Sequence, residues 1–73
     1  MFTDFLGVKL KEGCDVVVNV ACSLHSGIIH EVTDTAVRLS YNGWHDNGEE
    51  YVMEQVYTAE EYPDGMIDKI CVI

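Results

Sequence analysis

Basic residues are scarce in this sequence. Four lysines and arginines stand against thirteen aspartates and glutamates, which gives a formal charge of −9 over 73 residues. A surface of this sign repels nucleic-acid phosphates over a Debye length of about 8–10 Å. Nucleic acid is therefore a disfavoured partner.

Long apolar runs and a basic leader are also missing. The apolar runs, such as Val16–Val18, extend over a few residues, whereas a helix needs roughly 20 to cross a bilayer. No basic region precedes the apolar residues at the N-terminus, and Lys9, Lys11 and Glu12 follow them at once, unlike a secretory signal. The sequence thus predicts no membrane segment and a cytoplasmic protein.

Cysteines and paired metal ligands are few. Cys14, Cys22 and Cys71 are odd in number and irregularly spaced, unlike the even set of a disulfide-stapled secreted domain, and we interpret them as buried thiols. Structural zinc sites need paired ligands at close spacing, and none is present. We predict neither a metal nor a cofactor.

Apolar residues make up 48% of the chain and proline occurs once, which argues against disorder. No linker or repeat divides the sequence, so we predict a single domain over residues 1–73. A chain of this length buries only roughly 60% of its unfolded surface. Oligomerisation is therefore expected to contribute to its stability.

Alternating apolar residues predict strands along most of the chain. Residues 50–58 also fit a helical stripe, but their aromatic and β-branched content favours a strand. Turns are expected at Ser23–Gly27, at Thr33–Thr35 and at Asp64-Gly65. Asn42-Gly43 and Asn47-Gly48 both predict positive φ, one of them in a bulge that bends the strand and the other in a hairpin turn, and the sequence does not distinguish the two. The predicted strands are residues 15–22, 28–33, 36–41, 50–58 and 66–73.

Two shorter patterns indicate helical turns. Phe2, Phe5, Leu6 and Leu10 fall near helical spacing and predict a short N-terminal helix. Residues 58–61 have the capping-box spacing, which predicts one helical turn before the proline. The whole pattern predicts a mostly β protein, a small five-stranded barrel formed by a bent sheet, with a short N-terminal helix.

Two segments resemble the motifs of a known family. Residues 27–39, with a glycine, a hydrophobic pair and an aspartate turn before a hydrophobic strand, are similar to the first motif of Sm-like proteins. Residues 64–73 resemble the second motif, a turn glycine followed by a closing strand. SH3-like barrels carry similar patterns. The resemblance implies a ring assembled through edge strands and binding of uridine-rich RNA.

The positions that would bind RNA in such a protein carry other residues here. Aligned on Asp34, the base-stacking position falls on Ala36 and the base-reading asparagine on Arg38. Asp64 replaces the arginine before the glycine of the second motif, and its charge would repel a phosphate. The resemblance therefore implies the fold without the usual RNA pocket.

Residues 42–64, here called the acidic segment, contain seven carboxylates and no lysine or arginine. Aromatic side chains lie within it, and aromatic residues are enriched at protein interfaces. Trp44 is the strongest candidate because it lies among turn residues, although it would also suit a plug at one end of the barrel. The predicted partner-binding residues are Trp44, Asp46, Glu49, Glu50, Tyr51, Glu54 and Tyr57.

These features predict a non-enzymatic, homo-oligomeric module that binds an unidentified, basic protein through the acidic segment. Two alternatives are an inhibitor that mimics nucleic acid and a protein that binds a small molecule at its subunit interfaces. Catalysis is not expected, because the one nucleophile pair, Cys22 and His25, has no evident third orienting group.

Overall fold

The computed structural model describes residues 1–73 and contains one antiparallel sheet of five strands and no helix. The strands lie in the order β4-β3-β2-β1-β5, so β4 and β5 form its two edges. This confirms the mostly β, five-stranded prediction. The strands are β1 (Asp15–Val20), β2 (Ser23–Val32), β3 (Ala36–Trp44), β4 (Glu50–Thr58) and β5 (Ile70–Val72).

One face of the sheet is buried. The strand alternation predicted for β1 and β3 is seen in the structure, where inward residues of both strands are inaccessible to solvent. The N-terminal segment and the segment before β5 add apolar residues to the same core. The fully buried apolar side chains are Leu10, Val16, Val18, Ile29, Val37, Leu39, Ile67 and Ile70.

The turn between β1 and β2 lies earlier than predicted. Val20 pairs with Ser23, which leaves Ala21 and Cys22 as a two-residue loop with φ values of 49° and 65°. Positive φ at both central positions matches the twist of a tight hairpin. Residues 23–27, predicted as the turn, are therefore extended and belong to β2.

A β-bulge changes which residues of β2 face the core. The sequence pattern predicts Ile28, His30 and Val32 on one face, but Ile29 is the buried residue. The register with β3 shifts between Ile29 and Glu31, so one extra residue is accommodated there. A prediction that assumes strict alternation across the bulge therefore places the residues before it, such as Ile28, on the wrong face.

The predicted N-terminal helix does not form. Thr3 instead makes β-bridges with Lys9 and Met66, and Gly7 adopts φ +84°. The carboxylate of Asp4 accepts hydrogen bonds from the N–H groups of the residues two and four positions later, which favours a turn over a helix. The resulting loop places Phe2 in the core and leaves much of Leu6 exposed.

Asp4 is the only buried charged residue, with 1% of its surface exposed. Its Oδ1 accepts the N–H groups of Leu6 (2.9 Å) and Val8 (2.8 Å), and its Oδ2 accepts the N–H of Val72 (2.9 Å). Burial raises the pKa of this carboxyl, but the backbone donors outweigh burial and hold the pKa below its ordinary value. The ionised carboxylate thus connects the N-terminal loop to β5.

We expect Asp4→Asn to lower the free energy of unfolding by about 1–3 kcal/mol at neutral pH, since an amide NH₂ would face the N–H of Val72. The pKa of Asp4 is lower in the folded protein than in the unfolded chain, so its carboxylate stabilises the fold at pH values above the unfolded pKa of about 3.9. This stabilisation is lost as the pH falls through the folded-state pKa. The difference between wild type and variant in urea denaturation should therefore shrink below about pH 4. Glu12→Gln, at an exposed position, serves as control. A difference that persists unchanged at acid pH would contradict this role.

Candidate protein-binding interface

The acidic segment covers the end of β3, the hairpin turn and the whole of β4, which is an edge strand. Its carboxylates therefore follow one edge of the sheet from end to end. All six named here belong to exposed residues. They are Asp46 and Glu49 in the hairpin turn, Glu50 and Glu54 on β4, and Glu60 and Glu61 in the turn that follows.

One basic side chain contacts this row. Nη1 of Arg38 lies 3.4 Å from Oε1 of Glu54, and the two side chains are 43% and 63% exposed. An exposed pair of this kind contributes about 0–1 kcal/mol because water screens it. It is the single ion pair in the structure, so most of the negative charge along the edge is left uncompensated.

The hairpin turn is built by the second Asn-Gly pair. Gly48 has φ +85°, as predicted, and Oδ1 of Asn47 accepts the N–H of Glu49 at 3.0 Å. The positive φ predicted for Gly43 is wrong, because this residue lies within the extended backbone of β3. Its lack of a side chain serves packing, since a Cβ at this position would collide with the ring of Tyr51.

Aromatic side chains lie on both faces of the hairpin end. Tyr51 covers Gly43 on the core-side face, and its ring lies against that of His45 in a tilted arrangement, with ring centroids 4.7 Å apart. Trp44 pairs with Glu50 on the opposite face, and 59% of its surface is exposed. Trp44 and Tyr51 therefore both flank the acidic row, but they face opposite sides of the sheet.

Tyr57 is placed differently from the other predicted partner-binding residues. It is 6% exposed and packs edge to face on Tyr62, with ring centroids 5.7 Å apart. Burial, together with the nearby Tyr62, Tyr41 and carboxylates, raises the pKa of Tyr57 to about 12. Its protonated side chain belongs to the core and does not lie on the exposed surface of the acidic segment.

Three exposed apolar residues of β4 are absent from the predicted set. Val52, Met53 and Val56 are 63%, 48% and 45% exposed. A signal for them exists in the sequence, since the two valines alternate with glutamates on one face of the strand. That signal identifies an exposed face only once the structure shows that no other element packs against this face of β4.

The positions aligned with an Sm-like RNA pocket have other contacts here. Ala36 begins β3 and pairs with Thr58. Arg38 contacts Glu54, and the carboxylate of Asp64 accepts the N–H of Met66 at 3.0 Å. Each of these residues thus takes part in strand pairing, a surface ion pair or a local turn.

Elsewhere in the structure, none of the candidate metal-ligand clusters, cysteines or depressions forms a clear site. No three His, Cys, Asp or Glu side chains lie close enough to hold a metal ion. All three cysteines are free, and none is fully buried, which corrects the interpretation as buried thiols. An open depression of about 460 Å³ is lined by Glu61, Tyr62, Pro63, Asp64, Met66 and Asp68. Two of its carboxylates, those of Glu61 and Asp64, already accept backbone N–H groups of the adjoining turns.

Comparisons of the chain with protein-family models, with curated proteins and with solved structures found no match. The structure contains no helix with the length and apolar character needed to span a membrane.

Alanine variants of two aromatic residues test which of them lies at the surface and which lies in the core. We expect Trp44→Ala to change the free energy of unfolding by less than about 0.5 kcal/mol, because the indole is mostly exposed. Tyr57→Ala should cost about 3–5 kcal/mol, because it empties a buried aromatic position. Urea denaturation followed by far-ultraviolet circular dichroism checks both variants. Equal losses in the two would contradict the assignment of Trp44 to the surface.

Proposed function

We propose that this chain is a non-enzymatic binding module that binds a basic protein through the acidic segment. The observation that carries the proposal is the row of carboxylates along the free edge of β4, with Arg38 as the only cation in contact with it. A row of one sign at the surface attracts a partner of the opposite sign and increases the rate of association.

Exposed apolar and aromatic side chains beside the row support the proposal. Trp44, Val52 and Val56 are all at least 45% exposed, and they lie among the carboxylates instead of in a separate patch. A few anchors, often aromatic residues like Trp44, carry most of the affinity of an interface, whereas charges at the rim mainly determine rate and specificity. The acidic segment therefore offers both kinds of contact.

Four further predictions from the sequence stay predictions. They are closure of the sheet into a barrel, the relationship to Sm-like proteins, homo-oligomerisation and a cytoplasmic location. The strand order bears on oligomerisation, because any edge-to-edge contact between copies must use β4 or β5. Light scattering at several protein concentrations measures the oligomeric state directly.

Binding of an oligolysine peptide tests the proposal, with fluorescence of Trp44, the only tryptophan, as the signal. We expect saturable binding that weakens as salt rises, since screening shortens the range of the attraction. The triple variant Glu49→Gln, Glu50→Gln, Glu54→Gln should bind at least about tenfold more weakly, a loss of about 1.4 kcal/mol.

The matched control neutralises three exposed carboxylates outside the acidic segment, by Glu12→Gln, Asp34→Asn and Asp68→Asn. Both triple variants have the same net charge, so any difference between them reports the location of binding. Equal weakening in the two would mean that the peptide senses only net charge, and would overturn the proposal.

A further inference from the structure

The two edges of the sheet differ in how their backbone groups are used. In β5 the residues that point away from β1 are Ile70 and Val72, because Lys69 and Ile73 bond back to β1. The C=O of Ile70 accepts the N–H of Phe5 at 3.1 Å, and the N–H of Val72 donates to Asp4. The N-terminal loop thus covers the β5 edge.

The β4 edge, meaning the unpaired side of residues 50–58, is open. Backbone bonds of His45 with Glu49, and of Thr35 with Ala59, bracket the ladder between β3 and β4. Facing residues alternate between bonded and non-bonded pairs. The odd-numbered residues of β4 therefore bond to β3, and the even-numbered residues direct their N–H and C=O groups outward.

Only the last even-numbered position is covered. The N–H of Thr58 donates to Glu61 and its C=O accepts the N–H of Tyr62. The outward backbone groups of Val52, Glu54 and Val56 have no backbone partner; one long contact of 3.5 Å, from the side-chain amide of Gln55, reaches the C=O of Val56. A continuous set of donors and acceptors is thus available for another strand.

The side chains along the open stretch define the strand that fits it. Glu50 and Glu54 lie on the outer face, on either side of Val52. Met53, on the other face, is 48% exposed. An added strand with alternating side chains would place one set beside the carboxylates and the other beside Met53. Basic residues suit the first set and apolar residues the second.

A second copy of this chain fits less well. Pairing with β5 of a neighbour would require displacing Asp4 and Phe5 from that edge. Pairing β4 with β4 would place two acidic segments side by side, and like charges facing across strands are destabilising. Charge complementarity selects a basic partner.

We infer that the β4 edge binds its partner by strand addition, taking up an extended segment in which lysine or arginine alternates with apolar residues. This inference deepens the proposed function and rests on it. Backbone pairing along the edge supplies affinity, and the alternation of Glu50, Val52 and Glu54 determines the register. The sheet then has six strands, and Glu50 and Glu54 lie on its outer face next to the added strand.

Amide hydrogen exchange measured by NMR tests the inference with two peptides of about eight residues, long enough to lie along most of β4. One alternates lysine and valine; the other has the same composition with the lysines and valines in two blocks, so that charge is matched. In the free protein the amides of Val52, Glu54 and Val56 should exchange faster than those of Met53 and Gln55. The alternating peptide should slow the three outward amides by about tenfold or more.

The Val52→Pro variant removes an outward N–H that makes no bond to β3, so the ladder is kept while the edge is blocked. It should abolish the protection, whereas Val52→Ala should retain it. An alternating peptide with an N-methyl group on every amide blocks pairing from the peptide side, because neither of its edges can then donate a hydrogen bond. That peptide serves if the proline variant does not fold, and it too should give no protection.

The outcomes separate the inference from the proposed function. If both peptides bind equally and no outward amide is slowed, strand addition is overturned while binding to the acidic segment stands. If neither peptide binds the wild type, both are overturned. Protection in the free protein that increases with protein concentration would show a second copy at the edge, and would overturn the choice of a basic partner.

Discussion

The carboxylate of Asp4 connects the two ends of the chain. It receives backbone N–H groups from the loop that contains it and from β5, which lies 68 residues further along the sequence. An ionised carboxylate is tolerated inside a protein when such donors surround it. Through this contact the N-terminal loop closes over the core and covers one edge of the sheet, and the other edge becomes the available surface.

The asymmetry of the edges connects the fold to the proposed function. An exposed edge strand is a risk, because it can pair with any extended chain, and charged side chains are a common protection. The glutamates of β4 would disfavour pairing with another acidic strand, including a copy of the same chain. The same charges favour a basic strand, so a single set of residues can exclude one class of partner and select another.

Local patterns in the sequence predicted much of the sheet. Short segments predict the alternation in β1 and β3 and the positive φ of Gly48, because strand faces and positive φ depend on adjacent residues, but they do not decide which Asn-Gly pair forms the hairpin turn. The helix predicted near Phe2 and Leu10 was wrong. Their spacing fits a helical face. In the structure both residues belong to a loop that Asp4 stabilises, and their side chains are buried in the core. A contact with a residue as distant as Val72 leaves no local pattern.

For the candidate interface too, some features follow from the sequence and others only from the tertiary structure. The sequence alone determined that the acidic segment carries a concentrated negative charge without lysine or arginine, since the charge of a side chain follows from the residue type at each position. Only the tertiary structure decided that β4 is an edge, that Tyr57 belongs to the core and that Trp44 is exposed. Strand order and burial depend on which distant segments pair and pack together, and the periodicity of a single strand is the same at an edge and in the middle of a sheet.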